Sequence, residues 1–341
     1  LNRPEDDHAG DGRIIQYDSN LKEKGVLWTE GTTHLIGGLS FAPDGTLWAF
    51  DSNSFKVLRI SPQGKQLPHI KFADRAFSNI NFAKDGTIYL GEHLVGNTVR
   101  TRPGTSLGTT LPKLPGTDRF GDGRLYQFTQ DGKLLKEFPT PVHGGMPGFL
   151  GLTGAALRPD GKSILYVSEL SDSIRCWDLV NNQALPNLVT YAPDSGNMAM
   201  TVMYTQGKLL HIRANFKAGF FLEHLDDHGK VLREYPLPGP GWAAVGNSIE
   251  PDTTLIGNFF TGTVAKFSLK TGEIVAKAES GVQRSLAGLA QLHGEGKVTV
   301  LPAVGYDSPD QSHFVSRHFW EVGALDAQLR TGWLGRVLDR V

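Results

Sequence analysis

His34 in "TTHLIGG", the adjacent pair Glu92 and His93 in "LGEHLVG", Glu169 in "VSELSDS" and Arg213 in "HIRANF" are the side chains best suited to chemistry in this chain. Imidazole and carboxylate together can share acid–base work or bind a metal. A guanidinium can hold a carboxylate or a developing oxyanion. His34, His93, Glu169 and Arg213 are therefore the catalytic candidates. His143, in "PTPVHGGMPGFLGLTG", adds a third imidazole. His34, His93 and His143, with Glu92 as an oxygen ligand, form the candidate set for a divalent metal, zinc or calcium. Asp51, Asn79, Asn197, Asn215, Trp242 and Asn258 are the candidates for substrate binding. Each has a plainer reading beside the functional one. A lone histidine at a strand end is more often hydrogen-bonded than a ligand. Asp51 and Glu169 can cap loop amides, and Arg213 can pair with Glu169 across neighbouring units. His211 alternates with Arg213 and is expected to be structural.

The elements that must position these residues are repeated. "LSFAPDGTLWAFDSNSFKVLRISPQGK", from Leu39, alternates apolar and polar residues between tight turns, as half-buried strands do. It recurs as "INFAKDGTIYLGEH" from Ile80, "AALRPDGKSILYVSELSDSIRCWDL" from Ala155, "VMYTQGKLLHIRANFKAGFFLEHL" from Val202 and "NSIEPDTTLIGNFFTGTVAKFSLKTGE" from Asn247. A sixth copy begins "AGLAQLHGEGKVTVL" at Ala287 and stops short. The first turns, at Gly45, Gly86, Gly161, Gly207, Asp252 and Gly296, are 41 to 46 residues apart, except for one interval of 75. That period, with four strands per unit, is the signature of a β-propeller. The N-terminal "GDGRIIQYDSNLKEKGVLWTE" parallels the outer half "GDGRLYQFTQDGKLLKEF" of an earlier unit. The fold expected is all-β: a single six-bladed β-propeller domain over residues 1–341. Its last blade takes outer strands from the N-terminus and inner strands from the C-terminal end, which removes exposed sheet edges.

In such a blade, loops from strand d to a and from b to c share one face. The insertion Gly96–Gly121, the long loop from Pro139, the extension beyond Pro302 and the N-terminal segment Leu1–Asp11 are all expected on that face. So are the candidate residues, which lie at the starts of a strands and the ends of b strands. Long loops on a rigid scaffold usually bind, cover or assemble. The stretch "GALDAQLRTGWLGRVLDRV" places Leu325, Leu329, Trp333 and Val337 on one helical face, so it either docks on the propeller or forms a homo-oligomer contact.

Composition excludes several classes. A net charge of −1 supplies no field to draw nucleic acid or an anionic membrane surface. No apolar run approaches the ~20 residues that span a bilayer as a helix. Walker A, a Rossmann fingerprint in strand–helix context, His-Glu-x-x-His and Gly-x-Ser-x-Gly are absent, so no nucleotide cofactor is expected. The single cysteine, Cys176, rules out an intrachain disulfide and is expected to be a small buried hydrophobe. A chain that begins at Leu1 fits either a periplasmic or secreted protein after leader removal or a cytoplasmic one.

"GLSFAPDGTLWAFDSNSFKVLRIS" and "GAALRPDGKSILYVSELSDSIRCWDL" resemble blades of the six-bladed SMP-30/gluconolactonase/NHL-like propellers, and the resemblance runs roughly from Gly12 to Leu301. It implies that fold, and lactonase, lyase or pure binding functions. The calcium ligands of the lactonases would fall here on Gly37, Thr153 and Ala287, none of which carries a carboxylate. Any metal is therefore expected to use imidazole. The function expected is a small-molecule hydrolase or lyase at the covered mouth, with a non-catalytic ligand-binding or protein-interaction propeller as the alternative.

Overall fold

The computed structural model describes residues 12–29, 36–51, 56–72, 77–94, 123–141, 150–168, 170–246, 248, 250–280, 286–291 and 298–302. Among these residues there is no α-helix, and no helix long and apolar enough to cross a membrane. Strands β1 (Gly12–Tyr17) and β2 (Glu23–Thr29) form an N-terminal hairpin. Blade 1 holds β3 (Ile36–Phe41), β4 (Leu47–Asp51), β5 (Lys56–Ile60) and β6 (Gln66–Lys71). Blade 2 holds β7 (Phe77–Phe82), β8 (Ile88–Leu94), β9 (Leu125–Phe128) and β10 (Leu134–Phe138). The short β11 (Leu150–Gly151) also pairs with the end of β8. Blade 3 holds β12 (Gly154–Leu157), β13 (Ser163–Val167), β14 (Ser173–Asp178) and β15 (Gln183–Thr190). Blade 4 holds β16 (Met198–Thr205), β17 (Lys208–Asn215), β18 (Gly219–Leu225) and β19 (Val231–Leu237). Blade 5 holds β20 (Trp242–Gly246), β21 (Thr253–Asn258), β22 (Thr263–Ser268) and β23 (Glu273–Glu279). Last come β24 (Leu286–Gln291) and β25 (Val298–Pro302), in a sheet of order β2-β1-β25-β24 that joins the N-terminal hairpin to the last two described strands.

All pairings are antiparallel, and the first strand of each sheet lies beside the first strand of the next: β3, β7, β12, β16, β20, β24 and then β3 again. The result is an all-β propeller. The turns explain why the alternating runs become hairpins. In blade 1 the Gly45 amide donates to the Ala42 carbonyl at 2.9 Å and the Asp44 carboxylate accepts from the Thr46 amide at 2.9 Å. Gly45 has φ 81°, which glycine adopts without a Cβ penalty. The same Asp-Gly device recurs at Asp85–Gly86 and Asp160–Gly161.

Burial changes across each blade. In β13 every residue is buried, whereas β23 alternates exposed and half-buried positions along its length. Inner strands are covered on both faces by neighbouring blades, while the last strand has one face in water. The N-terminal hairpin is held in two ways. Ile15, Gln16 and Tyr17 pair with Val300, Thr299 and Val298. Ile15, Tyr17 and Leu21 pack on Ala244, Leu255 and Val264 of blade 5. The buried Lys266 adds polar ties to the Ser19 carbonyl and to Glu250, the latter at 2.6 Å. Cys176 is buried among the apolar side chains between blades 3 and 4. The insertion Gly96–Gly121 and the extension beyond Pro302, with its helical stripe, lie outside the described residues.

Candidate functional site

The register sets which side chains reach one face of the propeller. The end of each b strand lies opposite the start of its a strand: Asp51 opposite Ile36, Glu92 opposite Phe77, and Asn258 opposite Trp242. In blade 4, Met198 at the start of β16 lies opposite Ala214, with Asn215 next along β17. Asp51, Asn215 and Asn258 thus end the second strands of their blades, and Glu92 lies two residues before the end of β8.

Three of these residues use a side-chain oxygen in the same way. Asn215 Oδ1 accepts from the amides of Lys217 and Ala218 at 3.0 and 2.9 Å. Asn258 Oδ1 accepts from those of Phe260 and Thr261 at 3.0 and 3.1 Å. Glu92 Oε2 accepts from the Gly123 amide at 2.8 Å and from the Tyr126 hydroxyl at 3.4 Å. The Glu92 side chain is fully buried, so these donors supply what water would otherwise give a carboxylate. The two asparagines also donate across to the loop before their own a strand. Asn215 Nδ2 reaches the Ser195 carbonyl and Asn258 Nδ2 the Pro240 carbonyl. Strand end, outgoing loop and incoming loop are therefore fixed by one side chain.

Arg213 is the most connected of the predicted residues. Its Nε donates to Glu223 at 2.5 Å, Nη2 to Glu234 at 2.6 Å and Nη1 to Asn197 Oδ1 at 3.0 Å. Its guanidinium lies over the Phe221 ring, 4.2 Å from the centroid. Its ion-pair partners stand on its own blade: Glu223 on β18 and Glu234 directly opposite it on β19. The side chains of Arg213 and Glu223 are 13% and 4% exposed, and that of Glu234 is 46% exposed. Burial raises the Glu223 carboxyl above its ordinary range despite the arginine, and Glu234 adds like-charge repulsion. Burial opposes the charge on Arg213, but the two glutamates outweigh it and hold the guanidinium's pKa above its ordinary value.

Beside this group, His211 is wholly buried. Its Nδ1 meets the Thr201 carbonyl at 2.8 Å, which requires the proton on that nitrogen and leaves Nε2 to accept from the Tyr191 hydroxyl at 2.7 Å. Burial pushes the His211 pKa down to about 4 and the Tyr191 hydroxyl well above its usual value. The structural role expected of His211 is what this geometry gives.

The structure thus brings Asn197, Arg213 and Asn215 together, with Asn215 Nδ2 also 2.8 Å from Asn197 Oδ1. It places Glu92 in blade 2 and Asn258 and Trp242 in blade 5. Trp242 is buried and donates from Nε1 to the Pro238 carbonyl at 3.0 Å. Asn79 Nδ2 donates to the Leu152 carbonyl at 3.0 Å, linking blade 2 to the loop before blade 3. The backbone of His93 pairs with Gly151 of β11. His34, His143 and Glu169, and the side chains of Asp51 and His93, lie outside the described residues. Among the described residues no three His, Cys, Asp or Glu side chains gather as metal ligands. Sequence reasoning missed Tyr191, Glu223 and Glu234. The available signal was the alternation in "FFLEHL", which puts Glu223 on the face shared with Phe221.

No family model and no curated protein matches the chain. Among solved structures, virginiamycin B lyase from Staphylococcus aureus is similar at 14% identity, with 85% of this chain and 98% of that chain covered and a TM-score of 0.51. A catalytically inactive form of that enzyme with quinupristin gives 14% identity, 89% and 97% coverage, and a TM-score of 0.51. A streptogramin B lyase structure gives 12% identity, 83% and 79% coverage, and a TM-score of 0.47. At these identities the likeness is one of fold, and it agrees with the pairing above: the chain is an all-β propeller.

Proposed function

We propose that the chain closes as a six-bladed propeller of the SMP-30/gluconolactonase/NHL-like type and acts as a small-molecule lyase at the face where the b strands end. The observation that carries this reading is Glu92: a fully buried carboxylate, oriented by the Gly123 amide and Tyr126, next in sequence to His93. A held carboxylate can orient an imidazole for acid–base work, and since successive residues of a strand face opposite ways, that imidazole need not be the sequence neighbour. In this reading His93 or His34 moves the proton, and Glu92 or Glu169 orients it. Lyase is preferred to hydrolase because a solved propeller of similar fold, virginiamycin B lyase, is a lyase. The closure is supported by the order of first strands around the sheets and by the β1–β25 pairing. If a divalent metal takes part, His34, His93 and His143 with Glu92 are the proposed ligands. Arg213 enters as a positioning residue, because its partners are already Glu223, Glu234 and Asn197. Asp51, Asn79, Asn215, Trp242 and Asn258 are proposed to shape the substrate's surroundings.

A second reading, a ligand-binding propeller without chemistry, is favoured by one observation. Asn215 and Asn258 already tie loop backbone with their amides. Screening the purified protein against lactones and against ester- or ether-linked substrates open to elimination separates the two readings. Turnover that disappears in Glu92→Gln and His93→Ala variants of unchanged fold supports the lyase. Saturable binding without turnover supports the binding module. Metal analysis of protein purified without chelator tests the ligand set.

A further inference from the structure

Blade 4 contributes to two junctions of unlike character. Toward blade 5 it presents Leu210, Ile212, Phe220 and Leu222, which pack on Ile256 and Phe267. The polar links across that junction run from Arg233 and Tyr235 to the carbonyls of Leu269 and Lys270, from Gln206 to the Ser248 and Glu250 carbonyls, and from Lys208 to Asp252 at 3.0 Å, an ion pair whose side chains are 32% and 54% exposed rather than sealed from water. Toward blade 3 it presents His211, Arg213 and Glu223 behind Tyr191, which follows the last strand of blade 3. His211, Glu223 and Glu234 stand in register across β17, β18 and β19.

We propose that the junction between blades 3 and 4, at Tyr191, His211, Arg213, Glu223 and Glu234, is the acid-labile joint of the propeller, where proton uptake reverses the local charge and parts the two blades before the other junctions open. At neutral pH the group holds one guanidinium against two carboxylates, with a neutral imidazole between the guanidinium's strand and Tyr191. Protonation of the carboxylates removes both counter-charges of Arg213. Protonation of His211 then puts a second cation beside the first, in a place closed to water. It also gives Nε2 a hydrogen aimed at the Tyr191 hydroxyl, whose own proton must find another acceptor. The sign follows from linkage. The folded state resists the proton on His211 while the unfolded chain accepts it, so stability present above an imidazole's ordinary range is lost as pH falls through about 4. Glu223 works the other way by linkage: with its raised carboxyl it takes up its proton within the folded state, which leaves Arg213 short of a counter-charge but does not itself open the joint, so the proton that opens it is the one on His211. Other charged groups near the joint are otherwise engaged: Arg175 of β14 with Tyr166, Asp172 with Ser173, and Arg158 with Asp227 across the junction, where the Asp227 side chain is 71% exposed.

The test is hydrogen exchange of the full chain, read by mass spectrometry at pH 7 and pH 4 and corrected for intrinsic rates. Protection across Gln183–Asn215 is expected to fall at least about tenfold more than across Thr253–Glu279. His211→Gln can keep a donor to Thr201 and an acceptor for Tyr191 without titrating, and it is expected to abolish that difference. Should His211→Gln fail to fold, Glu234→Gln serves. It removes one counter-charge at all pH values and is expected to move the onset of opening to higher pH. Equal loss of protection in all blades, a His211→Gln profile like the parent's, or an unmoved onset in Glu234→Gln overturns the proposal.

Discussion

The two faces of blade 4 solve the same packing problem by opposite means. Against blade 5 the face is aliphatic and aromatic, with Tyr235 and Phe267 edge-to-face at 5.4 Å. Against blade 3 apolar packing by Ala199, Val202, Leu209 and Leu225 flanks the charged and hydrogen-bonded group around Arg213. The apolar junction draws chiefly on burial, its Lys208–Asp252 ion pair being open to water, and should depend little on pH. The polar one depends on every donor finding its acceptor, because removing one partner leaves the other buried without compensation. The difference teaches that one strand pair can be rigid on one side and conditional on the other.

The largest expected effect is on the apolar side. Phe267→Ala removes a fully buried ring and should cost about 3–5 kcal/mol of unfolding free energy, equally at pH 5 and pH 8. Denaturant titration at the two pH values checks both the size and the flatness. A strong pH dependence would break the contrast between the junctions.

Arg213→Met comes next. It keeps apolar contact with Phe221 but leaves Glu223 and Glu234 opposed without a cation. The expected loss is about 3 kcal/mol at pH 8. It should shrink toward pH 5, because Glu223 already has a raised carboxyl and can take up a proton instead. A loss that stays constant across that range would show that Arg213 matters as packing rather than as charge.

How much of this was legible in the sequence depends on the distance between cause and effect along the chain. Asp-Gly turns act over a few residues, so the hairpins could be read directly. The parallel between "GDGRIIQY" and "GDGRLYQF" marked the N-terminal hairpin as an outer half, and it pairs with β25. The partners of Arg213 were not legible. They depend on the register of β17, β18 and β19 together, and a bulge between His224 and Leu225 shifts that register. Glu223 sits in a run whose alternation suits a solvated face, and only the neighbouring blade buries it. Glu92 was readable as a polar strand end. That its carboxylate would be sealed against Gly123 and Tyr126 depended on residues more than 30 positions away.

Asn258→Ala should have a smaller effect. It frees the Phe260 and Thr261 amides and the Pro240 carbonyl at a face that water can reach, and it should cost about 1–2 kcal/mol. Amide exchange confined to the loops around Gly241 and Thr261 is the expected signature. Exchange spreading into β22 would mean that the asparagine supports the blade and not only its loops.

The smallest expected effect belongs to Tyr191→Phe, and it is the sharpest probe of the polar junction. The ring can keep its stacked position over His211, at 26° and 6.3 Å between centroids, while the hydroxyl is lost. His211 Nε2 then has no Tyr191 donor, and Nδ1 still donates to Thr201. At pH 7 the cost should be about 1 kcal/mol, the net worth of one buried hydrogen bond. Losing the donor also removes a reason for the imidazole to stay neutral. Its titration should therefore move up from about 4 toward the ordinary histidine range, and the acid transition should begin at higher pH than in the parent. An NMR titration of the His211 ring protons measures the first shift, and equilibrium unfolding against pH measures the second. If the imidazole titrates upward while the acid transition stays where it was, His211 is not the group whose protonation parts the blades.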